Sequence, residues 1–353
     1  MTLPSHATLI LAGALPDSAW LPPKLRDQAA QNASWCRFVS RARLVEARIE
    51  PAGSVPEPGH LRYLAQCFQL ERPAVWPALE LQVELGHELS SHSVWRLQPV
   101  HFLLGRDHIR LMDPRVLNLG QDEAQALLRS AQPVFEAEGL RLGMHAPGVW
   151  WLTPEAPSAD LCLETFSLVG AVGRSIEARL PQGEHRRRWQ RLLNECQMIW
   201  HTHPVNGARE ARGQLPINGL WLEGPTRGRQ ASSQSAVDAS SLRHRAQADS
   251  PLAAHQVDTR LLEAQSSGDP SAWHETWQRV CREYFEIGPQ TGAGAKPADV
   301  VQRSATMMPG VTVLTGDSGW RMLGPQSAGL SWAHGLRRLL GRGSSQALDW
   351  LMP

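Results

Sequence analysis

The densest group of polar side chains in the sequence lies in the stretch HPVNGAREARGQLPIN, from His203 to Asn218. Asn206, Arg209, Arg212 and Asn218 supply two guanidinium groups and two amides within it. Guanidinium groups donate to phosphate and carboxylate oxygens in bidentate fashion. These residue types predict a site for a small phosphorylated or carboxylated molecule. An ordered turn with surface arginines is the alternative on the same residues.

Two histidines at the start of this stretch, His201 just before it and His203 as its first residue, are candidate metal ligands. His201 and His203 form an HxH pair, whereas the 14 histidines as a whole are dispersed along the chain. On a strand such a pair shares one face and could chelate a metal, but at the end of a helix the two side chains diverge. We therefore expect a capped helix end at this position rather than a metal site.

The elements on either side should hold the segment at the edge of a sheet. An amphipathic helix is predicted from about His185 to His201, and Pro204 is expected to end it. An apolar strand, INGLWL, follows the segment. In α/β proteins ligands commonly bind at such an edge.

The remaining chain predicts an α/β fold. The apolar run ATLILAGAL predicts a buried strand, residues 21–48 are weakly helical, HLRYLAQCFQL is an amphipathic helix, and VTVLTGDSGWRML is a hairpin. Two strands, a helix and two further strands follow one another between Val94 and Leu152 as a ββαββ module. The expected organisation is 1–92, N-terminal part of the core; 93–156, inserted ββαββ subdomain; 182–225, return to the core; 226–257, disordered linker; and 258–353, C-terminal part of the core and tail.

Composition narrows the class of protein. A chain of 353 residues is expected to form about two domains. Its net charge of +1 gives no general attraction to nucleic acid or to a membrane surface, so neither is an expected partner. The five cysteines are scattered and no long apolar run is present, which predicts a soluble protein of the reducing cytoplasm. Most of the 14 tryptophans lie in apolar runs and are expected to pack in the core.

Two stretches of the chain resemble the archaeal-type cofactor-independent phosphoglycerate mutases. The pattern HPVNxxRxxxGxxPxN with its following strand is similar to the segment that joins their inserted domain to the main sheet. The ββαββ module, with Asp113 to Arg115 after its second strand and Glu123-Ala124 at the start of its helix, resembles that inserted domain. The two stretches cover roughly 95–155 and 185–224, less than half of the chain.

A closer resemblance, up to about Leu222, is to bacterial proteins described either as phosphoglycerate mutase or as RpfE-type regulatory protein. It includes Asn194-Glu195 and Gln197-Met198, ahead of the two histidines. After the strand this chain has Glu223-Gly224-Pro225-Thr226 in place of a glycine run. That departure argues against a phosphate-cradling loop here.

The mutase resemblance implies an alkaline-phosphatase-like fold, here a degenerate sheet with helices and the inserted subdomain. It also implies a serine nucleophile and two divalent metals, commonly manganese. The family's pattern can be matched to Asp113, Arg115, Asn206, Arg209, Gly213 and Asn218, and the expected ligand-binding residues are these without Gly213 but with Arg212. The family's early Asp-Gly is Ala12-Gly13 here, and its late His-Asp-Gly-Asp cluster has no counterpart in the C-terminal third.

These matches and departures predict a phosphoglycerate mutase-like protein that is catalytically degenerate and regulatory. It is expected to bind a small phosphorylated or carboxylated metabolite or a protein partner, without a cofactor. One alternative is an active 2,3-bisphosphoglycerate-independent phosphoglycerate mutase or phosphohydrolase, which would need a divalent metal such as manganese. The other is a protein-interaction scaffold in which the arginines hold a turn in place.

Overall fold

The computed structural model describes residues 8–16, 19–40, 42–49, 57–68, 70–86, 93–106, 108–226, 255–285, 311–316 and 319–325. Most of the predicted linker at 226–257 lies outside these ranges. The strands are, in chain order, β1 (Thr8–Leu15), β2 (Ala42–Ile49), β3 (Val94–Val100), β4 (Phe102–Leu104), β5 (Ile109–Leu111), β6 (Leu140–Ala146), β7 (Val149–Pro154), β8 (Gly219–Thr226), β9 (His255–Asp258), β10 (Val311–Gly316) and β11 (Gly319–Pro325).

The helices alternate with these strands and make the protein a mixed α/β fold with several sheets. They are α1 (Pro23–Ala30), α2 (Ala33–Val39), α3 (Gly59–Cys67), α4 (Val75–Leu85), α5 (Gln121–Glu136), α6 (Leu168–Ala171), α7 (Arg186–His201), α8 (Pro204–Ala211), α9 (Arg260–Ser266) and α10 (Pro270–Phe285). Short 3-10 helices lie at Pro114–Leu117, Pro157–Ala159 and Glu177–Arg179. Within the described ranges, no helix has the length and apolar character that crossing a membrane requires.

The chain divides into two compact units. Unit 1 consists of Met1–Tyr63 and His244–Pro353, and unit 2 of Leu64–Arg243. The sheet of unit 1 has the order β2-β11-β10-β1-β9. Strand β1 runs parallel to β9 and β10, and β11 runs antiparallel to β10 and β2. Both the predicted N-terminal strand and the predicted hairpin are therefore confirmed.

Aromatic side chains fill the core of unit 1. Trp277 contacts Trp35 edge-on at 5.2 Å between ring centroids and stacks on Trp273 at 5.7 Å. Of the tryptophans that the structure describes, all but Trp20 and Trp151 are buried. The prediction that tryptophans serve mainly in core packing is confirmed, since each brings a large apolar surface out of water.

One prediction about unit 1 is wrong in part. Residues 21–48 include the helices α1 and α2, but their last part is strand β2. The residues of β2 have no strong preference for a strand, and pairing with β11 decides their conformation. Propensity is a weak guide where a neighbouring strand offers a complete hydrogen-bond ladder.

Unit 2 is built on an antiparallel sheet with the order β6-β7-β3-β8. The helices α5 and α7 contribute to the core on one face of this sheet, around Trp95, Trp150 and Trp200. The helix and the last two strands predicted for the ββαββ module are confirmed. Its predicted first strand is instead divided into β3 and β4, and β4 pairs with β5 in a separate small hairpin. Strand β8, expected to return to the larger core, instead pairs with β3 in this sheet. Leu97 of β3 lies opposite Leu222 of β8, and both side chains belong to the same core.

Candidate functional site

The predicted site segment forms a helix rather than a turn. Helix α7 ends at His201, and Pro204 is the first residue of α8 instead of only the end of α7. Proline is tolerated at the first position of a helix because its missing N–H would have no partner there. His203 caps this helix, since its Nδ1 accepts a hydrogen bond from the Val205 amide at 3.2 Å.

Arg209 is fully buried in unit 2, so the alternative of surface arginines is wrong for this residue. Its guanidinium donates to the Leu215 carbonyl at 2.8 Å, to Glu123 Oε2 at 2.6 Å and to the Leu117 carbonyl at 2.5 Å. The three acceptors lie in the loop after α8, the first turn of α5 and the end of a 3-10 helix. Arg209 thus connects three segments of the chain.

The carboxylate of Glu123 contacts two arginines, Arg209 within α8 and Arg212 at the C-terminal end of that helix. Besides Arg209 it accepts a hydrogen bond from Arg212 Nη2 at 2.5 Å. It also accepts from the Gly120 amide at 3.4 Å, at the positive N-terminal end of α5. Burial raises the pKa of Glu123, but the hydrogen bonds from Gly120, Arg209 and Arg212 outweigh it and hold that pKa below its ordinary value.

Arg212 differs from Arg209 in that about half of its side chain, 52%, is exposed. Its Nε donates to the amide oxygen of Gln214 at 3.0 Å. Its Nη2 donates to the carboxylate of Glu123. The guanidinium of Arg212 is accessible to a dissolved anion.

Asp113 and Arg115 form a pair of their own at the start of the 3-10 helix Pro114–Leu117. Asp113 caps this helix by accepting from the Arg115 amide at 2.9 Å, and its Oδ2 lies 2.5 Å from Arg115 Nη2. Burial raises the pKa of Asp113, but the hydrogen bonds from Arg115 lower it further than burial raises it. The side chain of Arg115 is 49% exposed. Leu117, whose carbonyl accepts from Arg209, is the last residue of the same short helix.

The two asparagines of the segment bind backbone groups of the protein itself. Asn206, which is buried, donates to the Trp200 and Ile217 carbonyls and accepts from the Ile217 amide, each at 2.8 Å. Asn218 accepts from the Phe102 amide at 2.7 Å and donates to its carbonyl at 3.0 Å. Both amides therefore fix the end of the loop that leads from α8 into β8.

The structure brings part of the predicted site together. Arg209 and Arg212 converge on Glu123, a residue that the sequence analysis did not include among the site residues although its acidic position in the first turn of a helix was visible. Asn206 and Asn218 anchor the same loop from inside. That these residues bind a ligand stays a prediction.

A two-metal centre is not supported by Ala12 and Gly13, in the second half of β1. Ala12 is fully buried there, and a Cβ atom on Gly13, which has a φ of 78°, would lie 2.5 Å from the Leu262 backbone nitrogen. The Trp273 indole closes the same point by donating to the Gly13 carbonyl at 2.9 Å. Among the residues described, no group of three or more His, Cys, Asp or Glu side chains could hold a metal ion. His201 lies exposed at the end of α7.

Fold and site together define a mixed α/β protein of two units with a partly buried arginine–carboxylate cluster. No protein-family model matches the chain. It is 26% identical over 204 residues to a probable 2,3-bisphosphoglycerate-independent phosphoglycerate mutase of Geobacter sulfurreducens, an alignment that covers 56% of this chain and 49% of the relative. The chain thus spans about half the length of the curated relative that it matches. It is a distant relative, by sequence, of the cofactor-independent phosphoglycerate mutases.

Two solved structures superpose on this chain with low TM-scores. The cofactor-independent phosphoglycerate mutase of Thermoplasma acidophilum superposes with a TM-score of 0.35 and 14% identity, covering 98% of each chain. The PH0037 protein of Pyrococcus horikoshii superposes with a TM-score of 0.42 and 12% identity, covering 92% of this chain and 88% of that one. Scores this low do not by themselves establish a common fold.

Proposed function

We propose that this chain is a catalytically degenerate relative of the cofactor-independent phosphoglycerate mutases that binds a small phosphorylated or carboxylated molecule and acts as a regulatory protein of the RpfE type. The proposal includes an alkaline-phosphatase-like origin for the sheet of unit 1, with the parallel strands β1, β9 and β10 at its centre. The distant sequence relationship supports the descent. The loss of activity is inferred from one position in unit 1.

That position is residue 12, within β1. The mutase resemblance calls for an aspartate where this chain has Ala12, followed by Gly13. A carboxylate at residue 12 would enter a fully buried position, where an unpaired charge is strongly unfavourable. The adjacent Gly13 is packed against the backbone of α9, so a side chain added at Gly13 would clash with Leu262.

The arginines of this region have different environments, and this difference supports the binding of an anion. Arg209 is used for internal contacts, whereas Arg212 and Arg115 are each about half exposed, at 52% and 49%. Two arginines and the N-terminal end of α5 share the single carboxylate of Glu123, which leaves an excess of positive charge. A phosphate or carboxylate group would be attracted to this excess and could accept bidentate hydrogen bonds from Arg212.

Turnover and metal content of the purified full chain test the loss of activity. We expect no conversion of 3-phosphoglycerate to 2-phosphoglycerate with or without manganese, and no stoichiometric metal by elemental analysis. Bound metal together with turnover that disappears on chelation would show that the chain is an enzyme and the proposal is wrong.

Calorimetric titration with 3-phosphoglycerate tests the binding function. Arg212→Ala is expected to weaken binding at least tenfold, because it removes the accessible guanidinium. Arg129→Ala, which removes an exposed arginine on the same unit farther along α5, is the matched control and should leave binding unchanged. Equal binding by all three proteins, or no binding by the unaltered chain, contradicts an anion site at Arg212.

A further inference from the structure

The guanidinium group of Arg212 is held at two of its nitrogens by two different segments of unit 2. Its Nη2 donates to Glu123 of α5 at 2.5 Å, and its Nε donates to the side-chain oxygen of Gln214 at 3.0 Å. Nε carries a single hydrogen, so this contact uses the whole donor capacity of that atom. Within the described part of the chain, Nη1 makes no hydrogen bond. The edge formed by Nη1 and the second hydrogen of Nη2 is therefore left for a ligand.

The turn at the end of α8 fixes the backbone of Gln214. Gly213 has a left-handed φ of 70°, and its amide donates to the Glu210 carbonyl at 2.9 Å. The Gln214 amide donates to the Arg209 carbonyl, also at 2.9 Å. These two bonds are those of a Schellman motif, in which a glycine ends a helix and reverses the chain. Gln214 is thus fastened to the helix that ends at Arg212, and its side chain reaches back to that arginine.

The second acceptor of Arg212 is also fixed by contacts that do not involve Arg212. Glu123 accepts from Arg209 Nη1 at 2.6 Å and from the Gly120 amide at 3.4 Å. A long side chain loses much of its rotamer freedom when it binds two fixed partners. Arg212 is therefore oriented before a ligand arrives, although its side chain is 52% exposed.

We propose that Gln214 is a positioning residue of the anion site: its side-chain oxygen holds Nε of Arg212, so that the edge of Nη1 and Nη2 receives one carboxylate or phosphate group of the ligand. This role rests on the proposed function, in which Arg212 is the accessible guanidinium. Orientation before binding increases affinity, because less conformational freedom is lost when the ligand binds. The other bidentate edge, formed by Nε and Nη2, is occupied by Gln214 and Glu123.

Calorimetric titration of the full chain with 3-phosphoglycerate tests this role. Gln214→Met keeps the length of the side chain but removes its oxygen, and it should weaken binding about threefold to tenfold. Gln190→Met is the matched control, because Gln190 is similarly half-buried and lies in the N-terminal half of α7, whereas α8 follows the other end of that helix. In an Arg212→Ala background, Gln214→Met should have no further effect, since the group that it positions is gone.

Nuclear magnetic resonance of the ligand-free protein gives a signature that a purely structural role would not change. The Nε–H signal of Arg212 is identified by its absence in Arg212→Lys. It should exchange slowly with water in the unaltered chain and in Gln214→Glu, which keeps an acceptor oxygen at the same place. In Gln214→Met it should exchange measurably faster.

The outcomes separate this role from the proposed function. If Arg212→Ala weakens binding and Gln214→Met does not, the positioning role is wrong and the anion site stands. If the unaltered chain does not bind 3-phosphoglycerate, or Arg212→Ala binds it equally well, the proposed function fails and this role fails with it. Equal weakening by Gln214→Met with and without Arg212, or an Nε–H signal that Gln214→Met leaves unchanged, also overturns the positioning role.

Discussion

Arg209 and Glu123 form an ion pair at 2.6 Å between residues that are 86 positions apart in sequence. The side chain of Arg209 is fully buried and that of Glu123 is 22% exposed, so the pair lies at the border of the core of unit 2. The same guanidinium donates to two backbone carbonyls, those of Leu117 and Leu215. The contact therefore joins α8 to α5, and it makes Arg209 a structural residue whatever the ligand of the neighbouring Arg212.

Replacing Arg209 should cost stability rather than affinity alone. Arg209→Met keeps the length of the side chain but removes the donor to the Leu117 and Leu215 carbonyls and the buried charge that pairs with Glu123. We expect the free energy of unfolding to fall by about 2–4 kcal/mol, measured by urea denaturation. Arg212→Met, at a half-exposed position, should cost no more than about 1 kcal/mol. Equal losses in the two variants would refute the structural role of Arg209.

Asn206 provides a second test of the same loop. Asn206→Ala removes one acceptor and two donors that are all used by buried backbone groups. The expected loss is about 3 kcal/mol in the free energy of unfolding, since unpaired buried polar groups are costly. Asn194→Ala on the exposed side of α7 is the control and should change stability by less than about 0.5 kcal/mol. A comparably small effect at Asn206 would mean that its amide is not held as the structure has it.

Local patterns in the sequence are sufficient to predict many of the helices and strands. The helix predicted at HLRYLAQCFQL is α3, and Leu61, Leu64, Ala65 and Phe68 are buried as its spacing requires. Strand β1 was predicted because a continuous apolar run is typical of a strand covered on both faces. In these cases the signal lies within one element and needs no distant partner.

The site was less predictable because its conformation depends on distant residues. Pro204 was predicted to end a helix, but the capping contact of His203 lets it begin another. Arginine is mostly a surface residue, and Arg209 is buried because its acceptors are supplied by residues near Leu117 and Glu123 in a different segment. Neither the pairing of these segments nor the position of β8 beside β3 is encoded in a local pattern.

The low pKa of Glu123 should appear in the acid dependence of stability. Because hydrogen bonds lower its folded-state pKa below the ordinary value of 4.5, ionised Glu123 stabilises the fold above that pH. This stabilisation is lost as the pH falls through the lower, folded-state pKa. Denaturation from pH 7 to pH 3 should therefore show Glu123→Gln to be less stable than the unaltered chain at neutral pH, with the two converging in acid. A constant difference over this range would contradict the assignment.

Glu223 should behave in the opposite way. It is buried on β8 and accepts hydrogen bonds from Gln98 Nε2 at 3.0 Å and from the Leu168 amide at 2.7 Å. Burial raises its pKa, against the lowering effect of the Arg96 charge and of these hydrogen bonds. A carboxyl group with a raised folded-state pKa favours the fold most at low pH, and this contribution is lost as the pH rises.

Glu223→Gln removes that dependence, because an amide keeps the shape of the side chain and carries no charge at any pH. The stability of the variant relative to the unaltered chain should increase between pH 5 and pH 8.5, measured by urea denaturation. Gln98→Leu leaves Glu223 without one donor and should make the loss at high pH steeper. A relative stability that falls with pH would show that Glu223 is ionised at little cost in the folded protein.

A substitution at Gly13 tests the close packing of β1 beside Ala12, the position from which the loss of activity is inferred. Gly13→Ala forces a side chain into a left-handed conformation, with φ of 78°, and its Cβ would lie 2.5 Å from the Leu262 nitrogen. The expected loss is at least about 2 kcal/mol in the free energy of unfolding. Gly207→Ala on α8 meets no atom within 4 Å and should instead stabilise the protein by about 0.5–1 kcal/mol. If Gly13→Ala were tolerated as well as Gly207→Ala, β1 would have space for larger groups at Gly13, which would contradict the close packing against α9.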